Sequence, residues 1–201
     1  MSFITSRRKS RETIGVAGAF ALVLSPLVLA STAAPAAADD PAPEVLVSTD
    51  FEDASWADSW EASGAVTPEV VDEAGNQVLK IANRSADYEG IQTKTSAVSF
   101  EHDVVYTFSA KVKVDDDAGG DVQMRAVRKV ATPSGDDYFW IGDTSVGTDW
   151  TEINGTFTLP VGADASTALV YFGTGDGAAS AYTYYIDDVL ITRPAAGPVT
   201  L

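Results

Sequence analysis

The sequence predicts an all-β protein built as a two-sheet antiparallel β-sandwich, a jelly roll. Three observations carry that expectation. Apolar residues recur with a period of two, turn-rich pieces such as "DDDAGG", "TPSGDD" and "GTGDGAAS" separate the runs, and no segment carries a helical stripe. Short alternating runs divided by turn residues suit two packed sheets.

Taken in order, the strand runs are "EVLVSTDF", "QVLKIAN", "GIQTKTS", "VVYTFSAKVKV", "DVQMRAVRKV", "YFWIGDTSV", "DWTEINGTFTLP", "TALVYFGT" and "AYTYYIDDVLIT". In the fourth, Val104, Tyr106, Phe108, Ala110, Val112 and Val114 share one face, while Val105, Thr107, Ser109, Lys111 and Lys113 take the other. That alternation marks a half-buried strand. In the fifth, Val122, Met124 and Ala126 point inward, leaving Gln123, Arg125, Val127 and Lys129 on the outer face. Long hydrogen-bonding side chains there are ordinary solvation or, in a binding sheet, partners for hydroxyl groups.

The ends read differently. Arg7, Arg8, Lys9 and Arg11 precede the apolar stretch "IGVAGAFALVLSPLVLA" and the small residues Ala36-Ala37-Ala38. This is the order of a secretory signal peptide over residues 1–38. Pro26 and the short apolar core argue against a membrane anchor, which needs roughly 20 apolar residues. Residues 39–43 form a spacer, 44–193 the β-sandwich module, and 194–201, with two prolines and a glycine, a linker-like tail.

Beyond residue 38, nine Lys and Arg stand against 28 Asp and Glu, a net charge of −19 once the four basic residues and one acid of the signal are set aside. Such a surface repels phosphate backbones and anionic lipid, so neither nucleic acid nor membrane is an expected partner. No cysteine is present, so a core exported to an oxidising space must hold without disulfides.

Most catalytic constellations are missing. His102 is the sole histidine, it sits in the turn-like "FEHDV", and no G-x-S-x-G elbow occurs. One histidine without cysteine makes no usual zinc site. "DDDAGGDVQMRA" has a glycine at the sixth position of a calcium loop but Ala126 at the twelfth, where a bidentate glutamate belongs. "GTGDG" lacks the strand-loop-helix setting of a phosphate loop and reads as a hairpin. Asp115 to Asp117, Asp136 and Asp137 cluster in turns, where solvation accounts for them, and no carboxylate pair for glycoside cleavage can be located.

The terminal strands suggest a metal. Asp50 and Glu52 in "TDFED", with Asp187 and Asp188 in "YYIDDVLI", are unusually acidic for strand positions. If the first and last strands pair, these four carboxylates converge and call for a cation. Ca²⁺ accepts mixed carboxylate and backbone oxygens, and a closed cage of that kind is structural. The plainer alternative is that some of them cap turns or face water.

One aromatic escapes the alternation. Tyr88 lies in "NRSADYEGIQTKT", after an Asn83-Arg84 pair and before Gly90, on a polar turn where a packed core has no use for it. Exposed aromatics on loops tend to be functional. Tyr106, Tyr182 and Tyr184 read as packing residues, and packing is also the favoured reading for Trp56, Trp60 and Trp140.

With "DFED" followed by Trp60, "LKIANRSADYEG", "YTFSAKVKV", "DWTEINGTFTLP" and "YYIDDVLI" in this order, residues 45–192 resemble the carbohydrate-binding modules of the family 22 and family 4/9 group. Such modules are appended to secreted xylanases and related hydrolases. The resemblance implies a jelly roll with a shallow groove on one sheet, binding xylan or β-glucan chains, and a buried structural calcium ion. It places Tyr88 where a ring stacks on a sugar, with Tyr138 and Tyr171 matching two further family tyrosines. Ser63 stands where an arginine is typical, and Gly173 near where a glutamate is expected. Trp150 and Phe157 are expected in the core.

The residue types suit a sugar. A pyranose offers C–H faces to aromatic rings and hydroxyls to planar polar groups. Tyr88, Tyr138 and Tyr171 would supply the faces, with Gln123, Arg125 and Asn83 as rim partners. The expected function is a non-catalytic binding module that brings an appended or co-secreted glycoside hydrolase to plant polysaccharide outside the cell. The alternatives are a structural or adhesive jelly roll without sugar affinity and, further off, a free-standing enzyme.

Overall fold

The computed structural model describes residues 41–175 and 182–195. The expected signal peptide, most of "GTGDGAAS" and the last six residues of the tail lie outside them. Eleven strands are present among the described residues. They are β1 (Glu44–Thr49), β2 (Trp60–Ser63), β3 (Glu69–Glu73), β4 (Asn76–Ile81), β5 (Gly90–Thr93), β6 (Tyr106–Val114), β7 (Val122–Thr132), β8 (Gly135–Val146), β9 (Thr151–Phe157), β10 (Asp164–Thr174) and β11 (Tyr184–Arg193). A one-turn helix, α1 (Trp56–Ser59), precedes β2.

Two antiparallel sheets result, as the alternation predicts. One has the order β3-β4-β11-β6-β9, with β1 added to β11; the other runs β2-β5-β10-β7-β8. The nine expected runs all appear, and β2 and β3 are additions. Both are short: "WEAS" buries Trp60 alone, and "EVVDE" buries no residue fully. Their pairing with β5 and β4 stabilises them where their own pattern is weak.

The core lies between the sheets. In β6 the odd-even rule is obeyed throughout: Tyr106, Phe108, Ala110, Val112 and Val114 are buried, while Thr107 and Lys111 are exposed. Phe172 from β10 meets Trp60 and Phe108, with ring centroids 6.1 and 5.7 Å apart. At one end Phe100, Tyr106 and Phe157 pack at 5.0–5.3 Å. Buried polar tips find partners: Trp60 Nε1 donates to Thr49 Oγ1 at 3.1 Å, and the Tyr106 hydroxyl accepts from Glu101 N at 2.6 Å.

Two aromatic assignments change. Trp150 is 36% exposed instead of buried, because it falls just before β9 on the outer face, where the Lys113 ammonium lies 5.2 Å from its ring. Trp140, read as a packing residue, is 56% exposed. The cause is a bulge between β7 and β8: Ala126 pairs with Gly142 but Val127 with Trp140, so Ile141 is the extra residue. An extra residue moves every later side chain to the opposite face.

Candidate functional site

The outer face of the second sheet is laid out by register. Tyr171 of β10 pairs with Val127 of β7, which pairs with Trp140 of β8. The neighbouring rows are Gly173–Arg125–Asp143 and Leu169–Lys129–Tyr138. Because of the bulge, Tyr138, Trp140 and Asp143 share this face although their numbers differ in parity.

The fourth wall is the loop between β4 and β5, built from "NRSADYEG". Asn83 takes a left-handed backbone, φ 57°, which Asn tolerates better than most residues and which turns the chain. Arg84 then folds inward and is only 4% exposed. Its guanidinium donates to the carbonyls of Glu89 (2.7 Å), Asp87 (2.8 Å) and Ala86 (3.2 Å) and to Thr174 Oγ1 (3.1 Å), and it lies 4.7 Å from the Tyr184 ring centroid. Glu89 completes the loop by accepting from the backbone N–H groups of Ser85, Ala86 and Ala65. Those backbone donors, that of Ser85 foremost, hold its carboxyl below the usual range. Gly90 follows because Tyr184 leaves no room: an added Cβ would stand 2.0 Å from its hydroxyl.

So anchored, the loop presents Tyr88 outward, 55% exposed. Tyr88, Asp87, Arg125, Tyr138, Trp140 and Tyr171 line one open groove of about 360 Å³, floored by Val127 and Gly173. The structure thus brings together all three expected tyrosines and Arg125. Arg125 is held on two sides: its guanidinium lies 3.8 Å from the Trp140 ring centroid, and Nε donates to Asp143 at 3.1 Å. Burial, with Tyr138 and Asp87 nearby, pushes the Tyr171 phenol up to about 12, so it keeps its proton at any ordinary pH.

Two expected rim partners stand elsewhere. Asn83 is exposed on its turn and does not line the groove. Gln123 shares the outer face of β7, but its amide donates to Asp143, and it is not among the lining residues. Ser63 helps the loop, donating to the Tyr88 carbonyl at 3.3 Å. Trp140, Asp87 and Asp143 are the lining or supporting residues that sequence reasoning missed. Three consecutive aromatics in "YFW" were the available sign for Trp140, since strict alternation buries at most one face of such a run.

The acidic ends meet as strands but not as a cluster. β1 does pair with β11. Among the described residues, however, no three Asp, Glu or His side chains gather as a metal group. Asp188 is paired with Lys111 at 2.7 Å, and Asp50 accepts from Glu52 N at 3.2 Å. Glu52 and Asp187 instead reach the start of β4, accepting from Gln77 N (3.0 Å) and Asn76 Nδ2 (2.8 Å). The four-carboxylate expectation is therefore corrected to two separate pairs: Asp188 takes a left-handed backbone, φ 48°, which breaks the alternation of β11 between Asp187 and Asp188. Asp187 is 5% exposed, and burial pushes its carboxyl above the usual range. Its carboxylate accepts from Asn76 Nδ2 and from Asp188 N, each at 2.8 Å.

Comparisons with known proteins agree with this architecture. Endo-1,4-beta-xylanase A of Thermotoga maritima is 25% identical over 163 residues, and its counterpart in Thermotoga neapolitana 24% over 165. Each match takes 79% of this chain but only 15% of the xylanase, so the chain spans a small part of these relatives. Among solved structures, the CBM22-1 xylan-binding domain of Paenibacillus barcinonensis Xyn10C superposes with a TM-score of 0.65 at 21% identity, covering 78% of this chain and 98% of that domain. The CBM22-1-GH10 modules of Clostridium thermocellum xylanase 10B, complexed with xylohexaose, give 0.61 at 22% identity, over 79% of this chain and 30% of that one. The CBM_4_9 family model, a carbohydrate binding domain, matches residues 43–181, and the chain belongs to that family.

Proposed function

We propose that this module is non-catalytic and binds a neutral plant cell-wall polysaccharide, xylan or mixed-linkage β-glucan, along the groove of the second sheet. One observation carries the reading: four aromatic side chains and a pinned arginine converge on a single open face. Tyr88, Tyr138 and Tyr171 cover sugar faces, and Arg125 donates to hydroxyls. The Trp140 ring backs Arg125 and extends the apolar wall. The groove is open and wet, so affinity is modest, with Kd of roughly micromolar to millimolar, about −8 to −4 kcal/mol. Residues 1–38 export the chain, and an appended or co-secreted glycoside hydrolase gains proximity to its substrate. Both named relatives being xylanases supports xylan as the first polymer to try.

Affinity electrophoresis in gels containing soluble xylan or mixed-linkage β-glucan tests the proposal. The protein should be retarded by at least one polymer, and Tyr88→Ala should run as in a polymer-free gel. Unretarded migration of the unaltered protein in both gels would support the structural or adhesive alternative. We also propose a structural Ca²⁺ held by Glu52 and Asp187 with backbone oxygens, locking the start of β4 to β11. Chelation with EDTA should lower the melting temperature without abolishing polymer retention; an unchanged melting temperature would remove the ion.

A further inference from the structure

A sugar groove needs acceptors as well as donors, because each hydroxyl can give a proton as well as receive one. The β7–β8 wall supplies donors, with Arg125 at its centre. Its carboxylate, Asp143, is taken by Gln123 and Arg125. Other acids nearby are committed too: Glu61 accepts from Gln92 at 2.9 Å, Asp136 is paired with Lys129 at 2.9 Å, and Glu89 closes the loop.

Asp87 differs. Its side chain borders the groove beside Tyr88 and Tyr171, and its carboxylate accepts no hydrogen bond among the described residues. Its backbone is nonetheless fixed. The Asp87 carbonyl accepts from Arg84 Nη2 and from Thr174 N, each at 2.8 Å. A carboxylate on a clamped backbone has only its own two side-chain torsions left to order on contact, so the entropy lost is small.

We propose that Asp87 is the groove's hydroxyl-accepting group, taking a charge-assisted hydrogen bond from a ring hydroxyl of the sugar stacked on Tyr88, opposite the donors of Arg125. This rests on the groove reading above and adds to it the residue that orients the ring. A stacked aromatic fixes the plane of a sugar but leaves it free to slide and rotate in that plane. An acceptor on one wall and a donor on the other remove that freedom, and a sugar lacking the hydroxyl leaves a desolvated carboxylate unpaired.

Isothermal titration calorimetry with soluble xylan and mixed-linkage β-glucan tests this on the full chain, comparing the unaltered protein with Asp87→Ala, Asp87→Asn and Tyr88→Ala. Because the clamp uses the Asp87 carbonyl, both Asp87 variants should unfold at the unaltered midpoint. Asp87→Ala should weaken binding of the preferred polymer by about tenfold or more, a factor worth about 1.4 kcal/mol. Asp87→Asn, which keeps a neutral acceptor, should fall between. Affinities within about twofold of the unaltered protein in both variants, with Tyr88→Ala still defective, would overturn the role of Asp87 and leave the groove standing. No heat of binding from the unaltered protein with either polymer would overturn both.

Discussion

Arg84 shows how one buried cation makes an exposed aromatic useful. A 4% exposed guanidinium is tolerable only because backbone carbonyls, a threonine hydroxyl and the Tyr184 face surround it. Arg84→Met should cost about 2–4 kcal/mol, measured by denaturant unfolding, because it removes the charged donor that three carbonyls share and leaves each with neutral partners only. Arg84→Lys should not rescue it, since an ammonium cannot reach three carbonyls in one plane. Its partner in the loop, Glu89, gives a pH signature. The folded carboxyl is held below its unfolded value, so its stabilisation is complete above the unfolded pKa and is lost as pH falls through the folded one. Glu89→Gln should therefore flatten the acid limb of a melting-temperature profile while lowering the neutral plateau. At this scale the sequence was readable where a residue broke its pattern. Tyr88 sat outside the alternation and is indeed exposed, whereas Asp87 is an ordinary loop acid until the Arg84 clamp is seen.

Single elements were legible by period, but their faults were not. Strand β6 follows its pattern residue by residue, and β7 places Met124 and Ala126 inward as expected. The bulge at Ile141 leaves no composition signal, yet it decides that Tyr138 and Trp140 face the groove. It is accommodated by glycines on the facing strand and beside it. A Cβ on Gly155 of β9 would stand 1.8 Å from the Ile141 carbonyl oxygen, and one on Gly142 would stand 2.8 Å from the Asn154 oxygen. Gly155→Ala must push β9 and β8 apart, because backbone atoms on both sides cannot rotate away. It should cost stability at the upper end of about 1–3 kcal/mol, read by thermal unfolding, and weaken polymer retention although no groove residue is altered. The acidic strand ends failed for a related reason: the condition set for them is met, since β1 pairs with β11, but the left-handed turn at Asp188 sends adjacent carboxylates to different partners.

For the molecule as a whole, the sandwich follows from repeated local signals, so two sheets could be expected without knowing which strands pair. The groove depends on three strands and a loop arriving at one face, and only the family resemblance joined Tyr88, Tyr138 and Tyr171 in advance. The net charge of −19 beyond residue 38 sets what that face can hold. A neutral polysaccharide brings no counterions to release and meets no long-range repulsion, whereas a polyanion meets both a like-charged surface and a salt-dependent barrier. The groove's own charges are short-range: Arg125 is neutralised by Asp143 at 3.1 Å, well inside a Debye length of about 8 Å at physiological salt. Binding of the preferred neutral polymer should therefore change by less than about twofold when NaCl is raised several-fold, measured by titration calorimetry at constant pH. A steep loss of affinity with salt would mean that long-range charge, not ring stacking and local hydrogen bonds, drives capture. A steep gain would mean that the acidic surface repels the polymer, as it would if acidic substituents on the chain dominated recognition.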